Sequence, residues 1–218
     1  MEYFAIYFAV AKIGAIAVRL NFRLTSSELD YAINDAGVRI LCFQSEMLHE
    51  VEPIRHRLSV EKYICLGRNG NALPDWAVSW DLLEKGEVTP IETEIYLDDP
   101  VMLMYTSGTT GRPKGAIWTH NNTFWFSSMQ VMKWQFTGEE IAMTTGPLYH
   151  VGALEDVALP ALMVGGTVII TRSKGFDIRR VLTTIEKENV TDCFLFPFMI
   201  YEMLNLNDLD QFDLSSIN

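Results

Sequence analysis

The sequence predicts an α/β protein: a layered, partly parallel sheet with flanking helices. Three observations carry that expectation. Short apolar runs at 38–43, 101–105 and 167–171 alternate with stretches whose apolar residues recur at helical spacing. Glycines stand where helices should stop before strands, at Gly37 and at the Gly165–Gly166 pair. With 218 residues, 49% apolar and 21% charged, the chain is long and apolar enough to bury a core without staples.

Taken in order, residues 2–17 read as a helix packed on most faces and closed near Gly14. The run is short for a membrane span of ~20 apolar residues, and Lys12 interrupts it. It also lacks the basic start and small-residue cleavage site of a signal peptide. Ser26 or Ser27 caps a second helix, with Glu28, Leu29, Ala32 and Ile33 at helical spacing. A strand at 38–43 follows, then a helix at 47–58 and a buried strand at 63–66. The segment 67–100 is rich in Gly, Asn, Pro and acidic residues and reads as surface loops. Trp76 and Trp80 would anchor it, with a short helix near 80–85. Beyond it come a strand at 101–105, a polar glycine-rich loop and a short strand at 116–118. A helix capped by Thr119 or Asn121 then runs to about Trp134. The remainder alternates: strand 141–145, helix 154–164, strand 167–171, helix 178–188, strand 193–196, helix 198–204. Such alternation favours parallel pairing. No internal repeat or low-complexity tract interrupts it.

The net charge is −11, which argues against nucleic acid or an anionic membrane as a general partner. Any site for a polyanion must therefore supply its positive charge locally. Cys42, Cys65 and Cys193 are odd in number, far apart and without metal-binding spacing. They read as ordinary buried thiols of a reducing compartment, which places the protein in the cytoplasm. The sequons at Asn121 and Asn189 read as chance matches.

The chemistry concentrates in Thr106-Ser107-Gly108-Thr109-Thr110-Gly111-Arg112-Pro113-Lys114-Gly115. Four hydroxyls, three glycines and two cations lie within these ten positions. Glycines permit close approach to a ligand, and successive backbone N–H groups can converge on an anion. Hydroxyls add donors, Lys114 adds a point charge, and Pro113 stiffens the chain before it. The string is neither a Walker P-loop nor a dinucleotide fingerprint, because Gly115 follows Lys114 instead of preceding it and no GxGxxG is present. A generic loop of this composition is usually only a polar hairpin.

The complete string from Tyr105 to Gly115 resembles, at every specified position, the phosphate-binding signature of the adenylate-forming family. That family includes acyl-CoA synthetases, firefly luciferase and peptide-synthetase adenylation domains. Two further segments agree. Ala11-Lys12-Ile13-Gly14-Ala15, continuing to Leu20-Asn21-Phe22-Arg23-Leu24-Thr25, resembles the early helix and turn of acyl-CoA synthetases, with Arg19 where that family usually has proline. Pro147-Leu148-Tyr149-His150-Val151-Gly152 resembles the ligase segment whose histidine lies beside the acyl carboxylate. Both favour a CoA ligase over an amino-acid adenylation domain. A lone histidine is more often structural, and only this context makes His150 a candidate. His120 has no such context, and Glu155 and Asp156 read as carboxylates at the start of a helix.

The resemblance implies a fragment of an ATP-dependent acyl-CoA ligase, with ATP, Mg²⁺ and CoA as substrates and cofactor and a fatty or other carboxylic acid as acyl donor. Ser107, Gly108, Thr109, Thr110, Gly111 and Lys114 would hold the β- and γ-phosphates. Thr106 would ligate magnesium, His150 would place the carboxylate, and Arg112 would be solvated. The expected organisation is a partial N-terminal AMP-binding domain over 1–218. Residues 1–100 form its first part and 101–218 its phosphate-loop and acyl-site part. The family's magnesium-binding glutamate, ribose-binding aspartate and C-terminal domain have no counterpart in the sequence. The isolated chain is therefore expected to be inactive and to self-associate through apolar faces. A truncated non-catalytic paralogue acting as a binding protein, and one half of a split enzyme, are the competing readings.

Overall fold

The computed structural model describes residues 1–67, 73–86, 89–106, 112–171 and 175–217. It is a mixed α/β structure whose described strands form three parallel-rich sheets of three strands each, not one continuous sheet. The chain divides into two compact units, one of residues 9–95 and 100–118, the other of residues 1–8, 96–99 and 119–218. Each is described by itself.

Helix α1 (Glu2–Lys12), of which only residues 9–12 belong to the first unit, ends earlier than the apolar pattern suggests. Gly14 takes a positive φ of 70°, and the Ala15 N–H bonds back to the Val10 carbonyl at 3.0 Å, closing the helix. The freed residues form strand β1 (Ala17–Arg19), which lies parallel to β5 (Pro100–Thr106). Helix α2 (Ser26–Asp35) is capped by Thr25 instead of Ser26 or Ser27, and the Glu28 carboxylate accepts both the N–H and the hydroxyl of Thr25 at 2.8 Å. Its Leu29 and Ile33 enter a core with Leu41, Phe43, Val51, Ile54, Tyr63 and Cys65. That core lies beside the parallel strands β2 (Ile40–Gln44), β3 (Lys62–Leu66) and β4 (Val78–Ser79). The expected helix 47–58 is instead broken into α3 (Leu48–Val51) and short 3₁₀ turns. Pro53 lacks the N–H a continuing helix needs, so the helix ends there although Glu52 itself keeps helical dihedrals (φ −58°, ψ −43°). Trp76 anchors the loop-rich segment as expected, stacked on Phe43 at 6.1 Å and edge-on to Tyr63 at 5.2 Å. The sheet carrying the glycine-rich loop has the order β1-β5-β6, with β6 spanning Lys114–Thr119.

In the second unit, α4 (His120–Trp134) is capped by Thr119, whose hydroxyl accepts from the Asn122 N–H at 3.1 Å. Strand β7 (Ile141–Thr144) is the middle of a parallel sheet, between β8 (Thr167–Ile170) and β9 (Asp192–Phe194). Its Ala142, Met143 and Thr144 are buried, as expected of a strand covered on both faces. The helix between β7 and β8 runs from α5 (Val151–Ala153) through a π turn at Leu154–Ala158 into α6 (Leu159–Met163). It packs on α4 and leads into Gly165–Gly166. A Cβ on Gly166 would stand 2.9 Å from the Glu140 carbonyl and 3.0 Å from that of Ala161, so the approach requires glycine. Amphipathic α7 (Ile178–Glu188) buries Ile178, Val181, Leu182 and Ile185 against this sheet, and α8 (Pro197–Leu204) follows β9. Among the described residues no helix is long and apolar enough to cross a membrane.

Candidate active site

Strand β5 carries the chain to the glycine-rich loop, and β6 carries it away. Thr106, the last residue of β5, donates its hydroxyl proton to the carbonyl of Lys114, the first residue of β6, at 3.4 Å. The two predicted site residues that flank the loop are thus brought face to face. The ammonium side chain of Lys114 is exposed and makes no ion pair among the described residues. Ser107, Gly108, Thr109, Thr110 and Gly111 lie outside the described residues.

Both ends of the loop are tied to α2. The Tyr105 phenol donates to Asp35 Oδ2 at 2.6 Å, and the Tyr31 phenol donates to the Pro113 carbonyl at 3.2 Å. The two tyrosine rings meet edge to face at 6.2 Å, and the Arg112 guanidinium lies 5.9 Å from the Tyr31 ring centre. Arg112, expected to be simply solvated, therefore contributes to this brace. Burial first, and then the bond to the Asp35 carboxylate, raise the Tyr105 phenol well above the ordinary tyrosine range. On the next strand, a Cβ on Gly115 would lie 2.9 Å from a Leu103 methyl, so glycine lets β6 close on β5. Arg19, which stands where the family usually has proline, is 4% exposed in β1 and pairs in register with Met104.

His150 belongs to the other unit. Its N–H donates to the Pro147 carbonyl at 3.0 Å, and its own carbonyl accepts from Ala153 N–H at 3.3 Å. The imidazole Nδ1 accepts the Gly152 N–H at 3.2 Å, making His150 the N-cap of α5. The side chain is otherwise exposed, with Tyr149 edge-on at 6.4 Å. A Cβ on Gly152 would lie 3.5 Å from the Phe194 ring, and one on Gly146 would lie 3.0 Å from the Phe196 ring. Phe194 and Phe196 meet edge to face at 5.0 Å, Phe196 stacks on Phe198 at 6.2 Å, and Phe198 meets Phe176 at 5.1 Å. An aromatic row therefore borders the histidine turn.

The two carboxylates after His150 differ from the expectation for a helix start. They sit in the π turn, where Glu155 is 1% exposed. Asp156 is half-buried; burial raises its carboxyl, while the bond from Gln130 Nε2 at 3.3 Å and the nearby His150 oppose that rise. Among the described residues no group of three or more His, Cys, Asp or Glu is placed to hold a metal ion.

The family model for AMP-binding enzymes matches residues 1–218. The chain belongs to the AMP-binding enzyme family. The chain is 36% identical over 197 residues to a feruloyl-CoA synthase of Amycolatopsis sp, covering 90% of its own length and 36% of that protein. It is 29% identical to an indoleacetate–CoA ligase of Aromatoleum aromaticum, covering 99% of itself and 42% of that protein. Its fold matches the crystal structure of the anthranilate CoA ligase AuaEII in complex with anthranoyl-AMP with a TM-score of 0.91 at 25% identity. That match covers all of this chain and 42% of AuaEII. The chain thus spans between 36% and 42% of the length of these relatives.

Sequence reasoning named Thr106, Lys114 and His150, and missed Tyr31 and Asp35. A signal for that pair existed, since residues four apart share a helix face. Nothing in the spacing says which strand ends that face will meet.

Proposed function

We propose that this chain is the phosphate-loop and acid-binding segment of an ATP-dependent acyl-CoA ligase acting in the cytoplasm, with an aryl-substituted carboxylic acid as acyl donor. The observation that carries the reading is the placement of Lys114. It is an exposed cation without an ion-pair partner among the described residues, across from the Thr106 hydroxyl at the mouth of a braced loop, in a protein of net charge −11.

The carboxylate oxygen attacks the α-phosphorus of ATP, and pyrophosphate leaves. The CoA sulfur then attacks the acyl carbon, AMP leaves and the thiol proton is released. In the first step, negative charge grows on the polyphosphate. Lys114, with Ser107, Gly108, Thr109, Thr110 and Gly111, stabilises it by preorganised electrostatics. The Thr106 hydroxyl uses its proton on the Lys114 carbonyl and keeps its lone pairs, which suits a partial ligand for Mg²⁺. A magnesium ion typically takes one or two protein oxygens, its other ligands being phosphates and water, and supplies charge neutralisation. His150 orients the carboxylate.

Support for an aryl acid comes from the aromatic row of Phe194, Phe196, Phe198 and Phe176 beside the histidine turn. The names of the feruloyl, indoleacetate and anthranilate relatives point the same way. The test is acid-dependent ATP–pyrophosphate exchange by the protein in its natural length, across aryl, aliphatic and dicarboxylic acids. Exchange driven by aryl acids is expected. Preference for a straight-chain acid would remove the aryl assignment, and no exchange with any acid would remove the ligase reading.

A further inference from the structure

His150 is held at three of its four polar atoms. The main-chain N–H is bonded to Pro147, the carbonyl receives Ala153, and Nδ1 receives the N–H of Gly152. Gly152 is buried, so that N–H has no access to water as an alternative. A neutral imidazole carries one proton on two nitrogens. When Nδ1 accepts a bond, its lone pair is in use and the proton sits on Nε2. Moving the proton to Nδ1, or adding a second one there, would set two donors against each other and leave a buried N–H unpaired. Phe194 packs behind the turn, and Tyr149 stands edge-on to the imidazole.

We infer that the Gly152 amide fixes His150 as the Nε2–H tautomer, so that His150 presents an incoming carboxylate with a hydrogen-bond donor and not a base. The identity of that acceptor rests on the ligase reading; the tautomer does not. The chemistry agrees with the assignment. A carboxylic acid near neutral pH is already ionised, so its attack on phosphorus needs no proton removed. A donor holding one carboxylate oxygen leaves the other free to react. By the same logic His150 is not the acceptor of the CoA thiol proton, because its only solvent-facing nitrogen already carries a proton. Gly152 is then a positioning residue, acting through the ring it orients.

The test reads the tautomer directly. Two-bond ¹H–¹⁵N correlation spectra of histidine-labelled protein are recorded at pH 8, where an ordinary imidazole is neutral. The His150 signals are assigned by their loss in His150→Gln. The expected pattern is protonated Nε2 with an unprotonated Nδ1. A protonated Nδ1, or a mixture of tautomers, overturns the inference whatever the activity. Gly152→Pro removes the N–H and should release the ring into a tautomer mixture; a folded variant with an unchanged pattern would overturn the role of Gly152. The second arm is acid-dependent ATP–pyrophosphate exchange in the natural-length protein. His150→Gln keeps a terminal N–H donor and no basic lone pair, and should stay within about tenfold of the parent. His150→Ala should lose about 10²-fold. Equal loss in both variants would overturn the donor role. Failure of the unsubstituted protein to exchange with any acid would instead defeat the ligase reading and leave the tautomer decided by the spectra.

Discussion

Tyr105 is tied to a residue 70 positions away and Pro113 to one 82 positions away, whereas His150 is tied to Pro147 and Gly152, its near neighbours in the chain. The loop end thus depends on side chains that only the folded unit brings together. The histidine depends on backbone groups that any sequence able to make that turn would supply. Side-chain braces can be cut by one substitution without disturbing the strands they brace. A backbone-held group survives most substitutions around it and yields only to proline.

The largest expected effect lies at the braced end. Lys114→Ala should lower ATP–pyrophosphate exchange by about 10²–10³-fold, the usual loss when one preorganised charge-stabilising group is removed. Thioester formation from preformed acyl-adenylate should fall far less. Single-turnover assays of the two half-reactions separate these outcomes, and equal loss in both would deny Lys114 its phosphate role.

Next in size is a contrast between two close-packed glycines, one in each unit. A Cβ on Gly166 meets two carbonyl oxygens of the main chain at 2.9 and 3.0 Å, and neither can move without shifting its element. A Cβ on Gly115 meets only the Leu103 side chain, at 2.9 Å for the nearest methyl, and that side chain can change rotamer. Gly166→Ala should therefore cost about 1–3 kcal/mol, and Gly115→Ala less than about 1 kcal/mol. Urea unfolding measures both, and the reverse order would contradict the packing described here.

The same division between local and distant determinants governs what the sequence discloses. Strands β5 and β7 were legible because they begin as continuous apolar runs, with Val101 and Met102 buried in the one and Ala142 and Met143 in the other. The phosphate loop was legible because its chemistry is contiguous. Strand β1 was not, because it has three residues, ends on the buried Arg19 and follows an apolar helix without a polar break. The helix expected over 47–58 failed on Pro53, a local signal outweighed by apolar spacing. The burial of Glu155 was hidden because a π turn leaves no mark in a 3.6-residue period. Tyr31 and Asp35 were hidden for a different reason. Their helix face is visible in the sequence, but its partner strand ends are fixed only by tertiary structure.

Asp35 offers the finest test of the comparison. Removing its carboxylate with Asp35→Ala should cost about 1 kcal/mol, the usual net worth of one such hydrogen bond. Asp35→Asn keeps an acceptor oxygen for the Tyr105 phenol and should restore most of that loss. The titration of Tyr105 gives an independent readout. Its pKa in the folded protein is raised, by burial and by Asp35, above the ordinary tyrosine value. Stabilisation from this phenol is therefore fully present below about pH 10 and lost as pH rises from there through the folded value. Phenolate absorbance during alkaline titration should show Tyr105 ionising later than exposed tyrosines. In Asp35→Ala its titration should move back toward theirs, with burial keeping it somewhat high. Tyr31→Phe, which cuts the bond to Pro113 and removes the lesser electrostatic contribution of the Tyr31 phenol, should lower the Tyr105 titration far less than Asp35→Ala does. A brace made of two separable side-chain bonds requires that difference. If Tyr31→Phe moved Tyr105 as far as Asp35→Ala does, the loop end would be held as one cooperative unit, and the contrast with the backbone-held histidine would shrink to a difference in sequence distance alone.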